Sequence, residues 1–353
     1  VAVLTVASIA KPLLNWFDEH GRKDLPWQKN RSAYRVWLSE IMLQQTQVST
    51  VIAYFERFTA AFPRLSDLAA ADVDAVLHLW SGLGYYARAR NLHKTAQTVC
   101  AEFDAEFPQD MEKMLSLPGI GRSTAAAILA QAYGLRHAIL DANVKRVLSR
   151  LHAVEGWPGH NRVARRLWRH AEQHTPSARL ADYTQAIMDL GATLCTRRAP
   201  DCAHCPLSQD CEALAQQRVA ELPTAKAKQS KPVKSARMLV LINDKQQILL
   251  EKRPPSGIWG GLWSLPEVAM DIDIEAYCLL QWQFKVAGIE DTESFRHTFS
   301  HYHFDITACR VRVKNPIQCV MEAERQVWYN SSQNHRLGLA APVQAILGRV
   351  FDK

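Results

Sequence analysis

"CTRRAPDCAHCPLSQDC", Cys195–Cys211, gathers four of the chain's eight cysteines into one short stretch with the spacing C-x6-C-x2-C-x5-C. Free cysteines usually scatter singly through cores, so four in one loop point to a shared metal group. Structural zinc sites commonly use two separated C-x2-C pairs, and here there is one pair in a compact loop. Four thiolates converging from a single tight loop suit a cuboidal iron–sulfur cluster, and Cys195, Cys202, Cys205 and Cys211 are its expected ligands. Arg197 and Arg198 lie inside the loop, where their charge offsets that of a cluster and faces a phosphate backbone.

Outward from this loop the chain changes character twice. Residues 11–215 read as mostly helical, with apolar residues at helical spacing in "VWLSEIMLQQTQVSTVIAYFERF" and Glu40, Gln44 and Gln47 on a separate polar stripe. After Cys211 comes "ELPTAKAKQSKPVKS", Glu221–Ser235, which has four lysines, two prolines and no aromatic residue and reads as a solvated linker. Beyond it, "ARMLVLIND" and "QILLEKR" flank an "NDKQ" turn as a hairpin, "HYHFDITACRVRV" alternates, and "APVQAILGRVFDK" closes with a helix. The fold expected is multidomain: a mostly α-helical domain over 1–220 with a metal loop at 195–211, a linker at 221–235, and an α+β domain over 236–353.

With 353 residues the chain is too long for one ordinary core, which agrees with two domains. Hydrophobic residues make up 48% and charged residues 22%, a globular balance. The formal net charge of +7 is compatible with a polyanionic partner but does not require one. No window approaches membrane-spanning length, so no membrane partner is expected. The apolar "VAVLTVASIA" lacks a basic segment before it and is not read as a signal peptide.

"LPGIG", Leu117–Gly121, stands between two helical runs. Its proline ends one helix, and Gly119 and Gly121 allow a hairpin with amides facing outward at the next helix start, an arrangement that suits a phosphate. Taken alone the turn is also a plain tight connection. Together with "AILDANVKRVLSRLHAV" and the cysteine loop, it resembles the helix-hairpin-helix DNA glycosylase superfamily. "LPWQKNRSAYRVWLSEIMLQQTQV", "HLWSGLGYYARARNLHKTA", "FRHTFSHYH" and "WYN" resemble the MutY-type adenine DNA glycosylases in particular, so the likeness covers nearly the whole chain.

That resemblance implies a monofunctional glycosylase of base-excision repair that flips and hydrolyses adenine mispaired with 8-oxoguanine or guanine, leaving an abasic site. It implies a 4Fe–4S cluster on the four cysteines, double-stranded DNA as partner, a monomer, and a bacterial cytoplasmic setting at the nucleoid. Glu40 matches the catalytic acid, although a solvated helix-face carboxylate is the plain alternative. Asp141 matches the carboxylate that stabilises the sugar cation; it is also placed as an N-cap, where the helix dipole favours its ionised form. Ser123 stands where strand-cleaving members carry a lysine, and a serine forms no Schiff base. Gln44, Gln45 and Tyr85 resemble residues that fill the gap or contact the orphan base, and Trp27 and Gln185 resemble adenine-pocket positions. Leu117, Gly119, Gly121 and Lys145 are expected at the DNA backbone, and Lys23, Arg88, Arg90 and Arg146 are further phosphate candidates.

The C-terminal domain resembles the MutT-like (Nudix) fold through "KRPPSGIWGGLWSLPE". Gly261 and Glu267 keep the first spacing of the hydrolytic box, but Glu275, Ala276, Leu279 and Leu280 fill the next required positions, so its metal-binding carboxylates are missing. The domain is expected to recognise the oxidised base, with Ser300 hydrogen-bonding its edge, Phe299 stacking, and His301 completing "TFSH"; a turn with Phe299 packed locally is the alternative. Two other activities stay open: an endonuclease III-like pyrimidine glycosylase with lyase activity, and a non-catalytic iron–sulfur DNA-binding protein.

Overall fold

The computed structural model describes residues 6–227, 230–314, 325–330 and 337–351. Lys228 and Gln229, inside the expected linker, and the first five residues of the apolar N-terminal run lie outside that set. The chain divides into two units, 1–70 with 91–228, and 71–90 with 229–353.

The first unit is helical among its described residues. Its elements are α1 (Val6–His20), α2 (Ala33–Leu43), α3 (Val48–Ala61) and α4 (Leu65–Ala70), and, after α5 (Val73–Leu79) of the second unit, α6 (Ala87–Glu102) from Asn91 on, α7 (Met111–Ser116), α8 (Arg122–Tyr133), α9 (Ala142–Leu151), α10 (Asn161–His174), α11 (Leu180–Thr193) and α12 (Glu212–Ala215). The helix starts follow local chemistry. Ser32, Asp110 and Asp141 cap α2, α7 and α9 by accepting hydrogen bonds from Arg35, Lys113 and Val144 amides. Gly134 ends α8 at φ +66°, in the left-handed conformation that suits glycine.

Alanine sets how closely α8 packs. Ala125, Ala126, Ala127 and Ala130 are buried, and such small side chains let α2 lie tightly against it. One core joins α1, α8, α9, α10 and α11 through Leu13, Phe17, Ile139, Leu148, Leu167 and Ile187. Cys195, Cys205 and Cys211 pack against its edge. The cysteine loop is thus seated on the helical core rather than hung from it.

The second unit holds a mixed sheet formed by β1 (Val233–Ile242), β2 (Ile248–Lys252), β3 (Trp263–Ser264), β4 (Glu267–Val268), β5 (Lys285–Thr298), β6 (His303–Lys314) and β7 (Gln326–Tyr329). The order is β3-β2-β1-β6-β5, with β4 on β1 and β7 on β2. β1 and β6 run parallel from Val233↔His303 to Ile242↔Arg312, and the other pairs are antiparallel. Helices α13 (Ile274–Trp282) and α14 (Ala341–Phe351) complete the unit.

The continuous apolar run of β1 is explained by burial on both faces. Leu239 and Leu241 join a core with Cys278, Trp282, Phe284 and Val311, while Met238 and Val240, which point the other way, are also fully buried. The β1–β2 hairpin forms at the expected turn, where the Asn243 side-chain oxygen accepts from the amides of Lys245 and Gln247 at 3.0 and 2.9 Å.

Candidate active site

A cavity of about 440 Å³ opens in the helical unit, lined by residues from α2, α8, α9 and α11 and by the segment before α2. It brings together Glu40, Gln44, Gln45, Trp27, Ser123, Asp141 and Gln185, which are widely separated in sequence. α2 carries Glu40 in its last turn, and the turn after it presents Gln44 and Gln45.

Glu40 is half-buried, and removal from bulk water pushes its carboxyl up to about 8, with the nearby Asp141 charge adding to the rise. Asp141 caps α9: Oδ1 accepts from the Val144 amide at 2.7 Å and Oδ2 from the Asn143 side-chain amide at 3.2 Å. Burial raises its carboxyl as well, opposed by the Val144 and Asn143 amides and by the Arg146 charge. The cap is therefore real, but a helix dipole alone does not govern this group; burial is the larger effect. Burial and the Asp141 charge both raise Glu40, whereas the Val144 and Asn143 donors favour the Asp141 anion, so Glu40 is the more readily protonated of the two.

The wall beside Gln185 is a hydrogen-bonded chain. Arg22 clamps Asp189 through its backbone amide (2.9 Å), Nε (3.0 Å) and Nη2 (2.7 Å). Gln185 donates Nε2 to Asp189 Oδ1 at 2.8 Å and accepts from Gln28 Nε2 at 2.5 Å, and Arg31 holds the Gln28 oxygen at 2.8 Å. Asp189 is fully buried, so this ion pair fixes the Gln185 amide with both ends committed. Sequence reasoning reached Gln185 but missed Arg22, Gln28 and Asp189. The signal was present: Gln185 and Asp189 are four apart on α11 and so share one face of it. Trp27 is buried, its ring edge-on to Phe55 at 5.5 Å. Ser123 is held by accepting from the Leu140 amide at 3.0 Å.

At the hairpin, Gly119 takes φ +76°, and a Cβ there would also meet Asn91 Cβ at 2.9 Å, so glycine is required twice over. Gly121 differs: its φ of −93° is open to any residue, with free space around it. Leu117 is buried at the end of α7, and Thr95 Oγ1 donates to the Pro118 carbonyl at 2.7 Å, tying the hairpin to α6. Lys145 is half-buried on α9 and Lys23 exposed.

Three of the other basic candidates point inward. Arg146 donates to the Cys195 carbonyl at 2.7 Å and to the Asn143 oxygen at 2.8 Å, Arg88 to the Leu83 and Gly84 carbonyls, and Arg90 to the Gly260 carbonyl. Arg146 is a strut between α9 and the cysteine loop. Arg150, absent from the sequence expectations, is the stronger one: 2% exposed, it donates to the carbonyls of Thr196 (2.7 Å) and Leu222 (2.8 Å) and to Cys195 Sγ (3.3 Å). Arg197 and Arg198 are exposed, as expected.

Gln45 and Tyr85 both adopt left-handed backbone, at φ +58° and +48°, and Tyr85 is 48% exposed. Non-glycine residues seldom hold that conformation, which costs about 1 kcal/mol or more, so both are strained positions at turn tips. In the second unit, "TFSH" forms the turn between β5 and β6, where the Phe299 amide bonds the Tyr302 carbonyl at 2.9 Å. Ser300 and His301 are exposed there. Phe299 is half-buried, with Tyr302 at 4.7 Å and Trp259 at 5.5 Å, so its ring is engaged with neighbouring aromatics. Leu279 and Leu280 stand on the exposed side of α13.

Residues 38–173 match the model of the HhH-GPD superfamily base excision DNA repair protein, and residues 237–349 match the NUDIX domain. The adenine DNA glycosylase of Buchnera aphidicola subsp. Acyrthosiphon pisum is 36% identical over 335 residues, 95% of each chain. The chain belongs to the adenine DNA glycosylase family. The human adenine DNA glycosylase is 32% identical over 99% of this chain and 75% of its own length. Among solved structures, a thermostable thymine-DNA glycosylase aligns with TM-score 0.54 and 26% identity, covering 60% of this chain and 97% of that one. A non-covalent endonuclease III–DNA complex shares the helical fold at TM-score 0.51 and 20% identity, over 61% of this chain and 99% of that one. Family membership makes the chain a DNA glycosylase of base-excision repair, which removes the reading as a non-catalytic binding protein.

Proposed function

We propose that the chain hydrolyses the N-glycosidic bond of adenine mispaired with 8-oxoguanine or guanine in duplex DNA, without cutting the strand. The observation that carries the reading is the pair Glu40 and Asp141 in one cavity, with Glu40's carboxyl raised to about 8. A carboxylic acid still protonated at neutral pH donates to adenine N7 once the base has been flipped from the stack. The C1′–N9 bond then breaks with its electron pair leaving on the base. Ionised Asp141 stabilises the sugar cation, and water adds to C1′ as a carboxylate takes its proton.

Trp27 and the fixed Gln185 amide line the side of the cavity that receives the base. The strained, exposed tips Gln45 and Tyr85 suit entry into the gap and contact with the orphan base, in company with Gln44. Gly119, Gly121 and Lys145 meet the backbone, whereas Leu117, expected there too, is buried beneath the hairpin and supports it. Phe299, Ser300 and His301 recognise the 8-oxoguanine, with Ser300 and His301 supplying hydrogen-bonding groups and Phe299 steadying the turn through its aromatic neighbours.

Cys195, Cys202, Cys205 and Cys211 hold a 4Fe–4S cluster. In support, the charge of each thiolate would act on the others: Cys205's thiol is pushed up by burial and then by Cys195, Cys211 and Cys202. Cys195, Cys205 and Cys211 pack against the edge of the helical core, where four thiolates from one loop would hold the cluster. Bound there, it would cross-link the loop and supply redox capacity; Arg150 and Arg146 fix that loop on α9.

The deciding experiment offers a duplex with adenine opposite 8-oxoguanine to wild type, Glu40→Gln and Asp141→Asn. Wild type should release adenine with no strand break before alkali and no borohydride-trapped adduct, and both variants should lose the release. Borohydride trapping, or undiminished release by Asp141→Asn, would reject the reading.

A further inference from the structure

A basic row outside the site described above is left without a role. Arg162, Arg165 and Arg169 fall on one exposed face of α10, opposite the buried stripe Val163, Leu167 and Ala171. With Arg122 and Trp168 they line an open groove of about 470 Å³. None of the three has an ion-pair partner among the described residues; Glu172, on the same helix, is taken by Arg122. Burial first, and then Arg166 and the row's Arg169, depress the His170 imidazole. Like charges three and four apart weaken a helix, and the repulsion is relieved when a polyanion binds.

The row adjoins the hairpin. Arg122 is the first residue of α8, directly after Gly121, and its guanidinium stacks 3.9 Å over the Trp168 ring of α10 while pairing with Glu172. A strand held at the hairpin amides therefore has a continuous basic path onto α10. At 1.5 Å per residue the row is about 10 Å long, the axial length of roughly three phosphates on one strand.

We propose that Arg162, Arg165 and Arg169 form a second backbone-contact surface, which takes phosphates of the same duplex beyond those bound at the hairpin. It rests on duplex DNA being the substrate and deepens that reading. The contact is electrostatic and independent of sequence, so it extends the footprint and the residence time without touching the flipped base.

The test measures duplex binding across a salt series with the full chain in an Asp141→Asn background. It compares that protein with the triple variant Arg162→Gln/Arg165→Gln/Arg169→Gln and with the corresponding triple Lys variant, on mispaired and undamaged duplexes. Each lost phosphate contact lowers the slope of log K against log salt by about 0.9, so the Gln triple should show a slope smaller by about 2 to 3. The Lys triple should keep the original slope. With Asp141 restored, single-turnover adenine release at saturating enzyme should be unchanged in both. An identical slope in the Gln triple, or loss of slope in the Lys triple, overturns the proposal. The slopes remain readable on undamaged duplex, so a failure of the 8-oxoguanine reading is separately visible as absent excision.

Discussion

Replacing Glu40 with Gln should stabilise the protein while disabling it, and the gain should depend on pH in a defined way. In the folded chain the Glu40 carboxyl is raised from 4.5 to about 8, first by burial and then by Asp141. Between those values the folded chain keeps a proton that the unfolded chain has released, so stability falls as pH rises through the window. At about 1.4 kcal/mol per unit, the ceiling is about 5 kcal/mol above pH 8, with about 3 kcal/mol already present at pH 7. Water entering the cavity screens the group, which brings the expected difference at pH 7 to about 2 kcal/mol. Urea unfolding of wild type and Glu40→Gln from pH 5 to 8.5 reads it directly. The variant should gain progressively, from under ~1 kcal/mol at pH 5 to a plateau above pH 8. A gap that stays constant with pH, or a variant that loses ground as pH rises, would refute the buried-acid argument.

A second prediction concerns three histidines in the same unit. His152 stacks on His170 at 3.8 Å and meets His174 Nε2 to Nε2 at 2.8 Å; burial depresses His152 to about 3 and His174 to about 4. The unfolded chain takes up protons below about 6.5 that the folded one refuses, so stability is lost as pH falls from there. Relative to a His152→Ala/His174→Val double variant, wild type should lose about 2–3 kcal/mol between pH 7 and 5 in urea unfolding; parallel curves would refute this. A third separates Asp141's two roles: Asp141→Asn should keep the α9 cap and its stability, whereas Asp141→Ala should cost about 1 kcal/mol, with adenine release lost in both. Equal stability of the two variants in thermal unfolding would remove the cap from the account.

Much of this molecule is readable from its residues because the deciding features are local. The cap at Asp141 and the Asn243 turn each follow from a side chain acting on its own backbone within four residues, and the left-handed Gly119 from the lack of one. The carboxylate pair was reached by resemblance, because Glu40 and Asp141 are a hundred residues apart and only α2 packing on the alanine face of α8 brings them into one cavity. The fate of the arginines was not legible. Arg146, Arg150, Arg162 and Arg165 look alike in sequence, and whether each reaches a carbonyl or solvent depends on which helix face meets the cysteine loop. The grouping of residues 71–90 with the C-terminal unit likewise left no mark, because α5 has the same amphipathic character as its helical neighbours.

In the proposed reaction Glu40 delivers the proton that frees the base. The direct measurement is the single-turnover rate of adenine release, at saturating enzyme, from pH 6 to 10. With a carboxyl near 8, the rate should hold level up to about pH 8 and then fall about tenfold per unit. A rate that rises with pH, or stays level through pH 10, would contradict it.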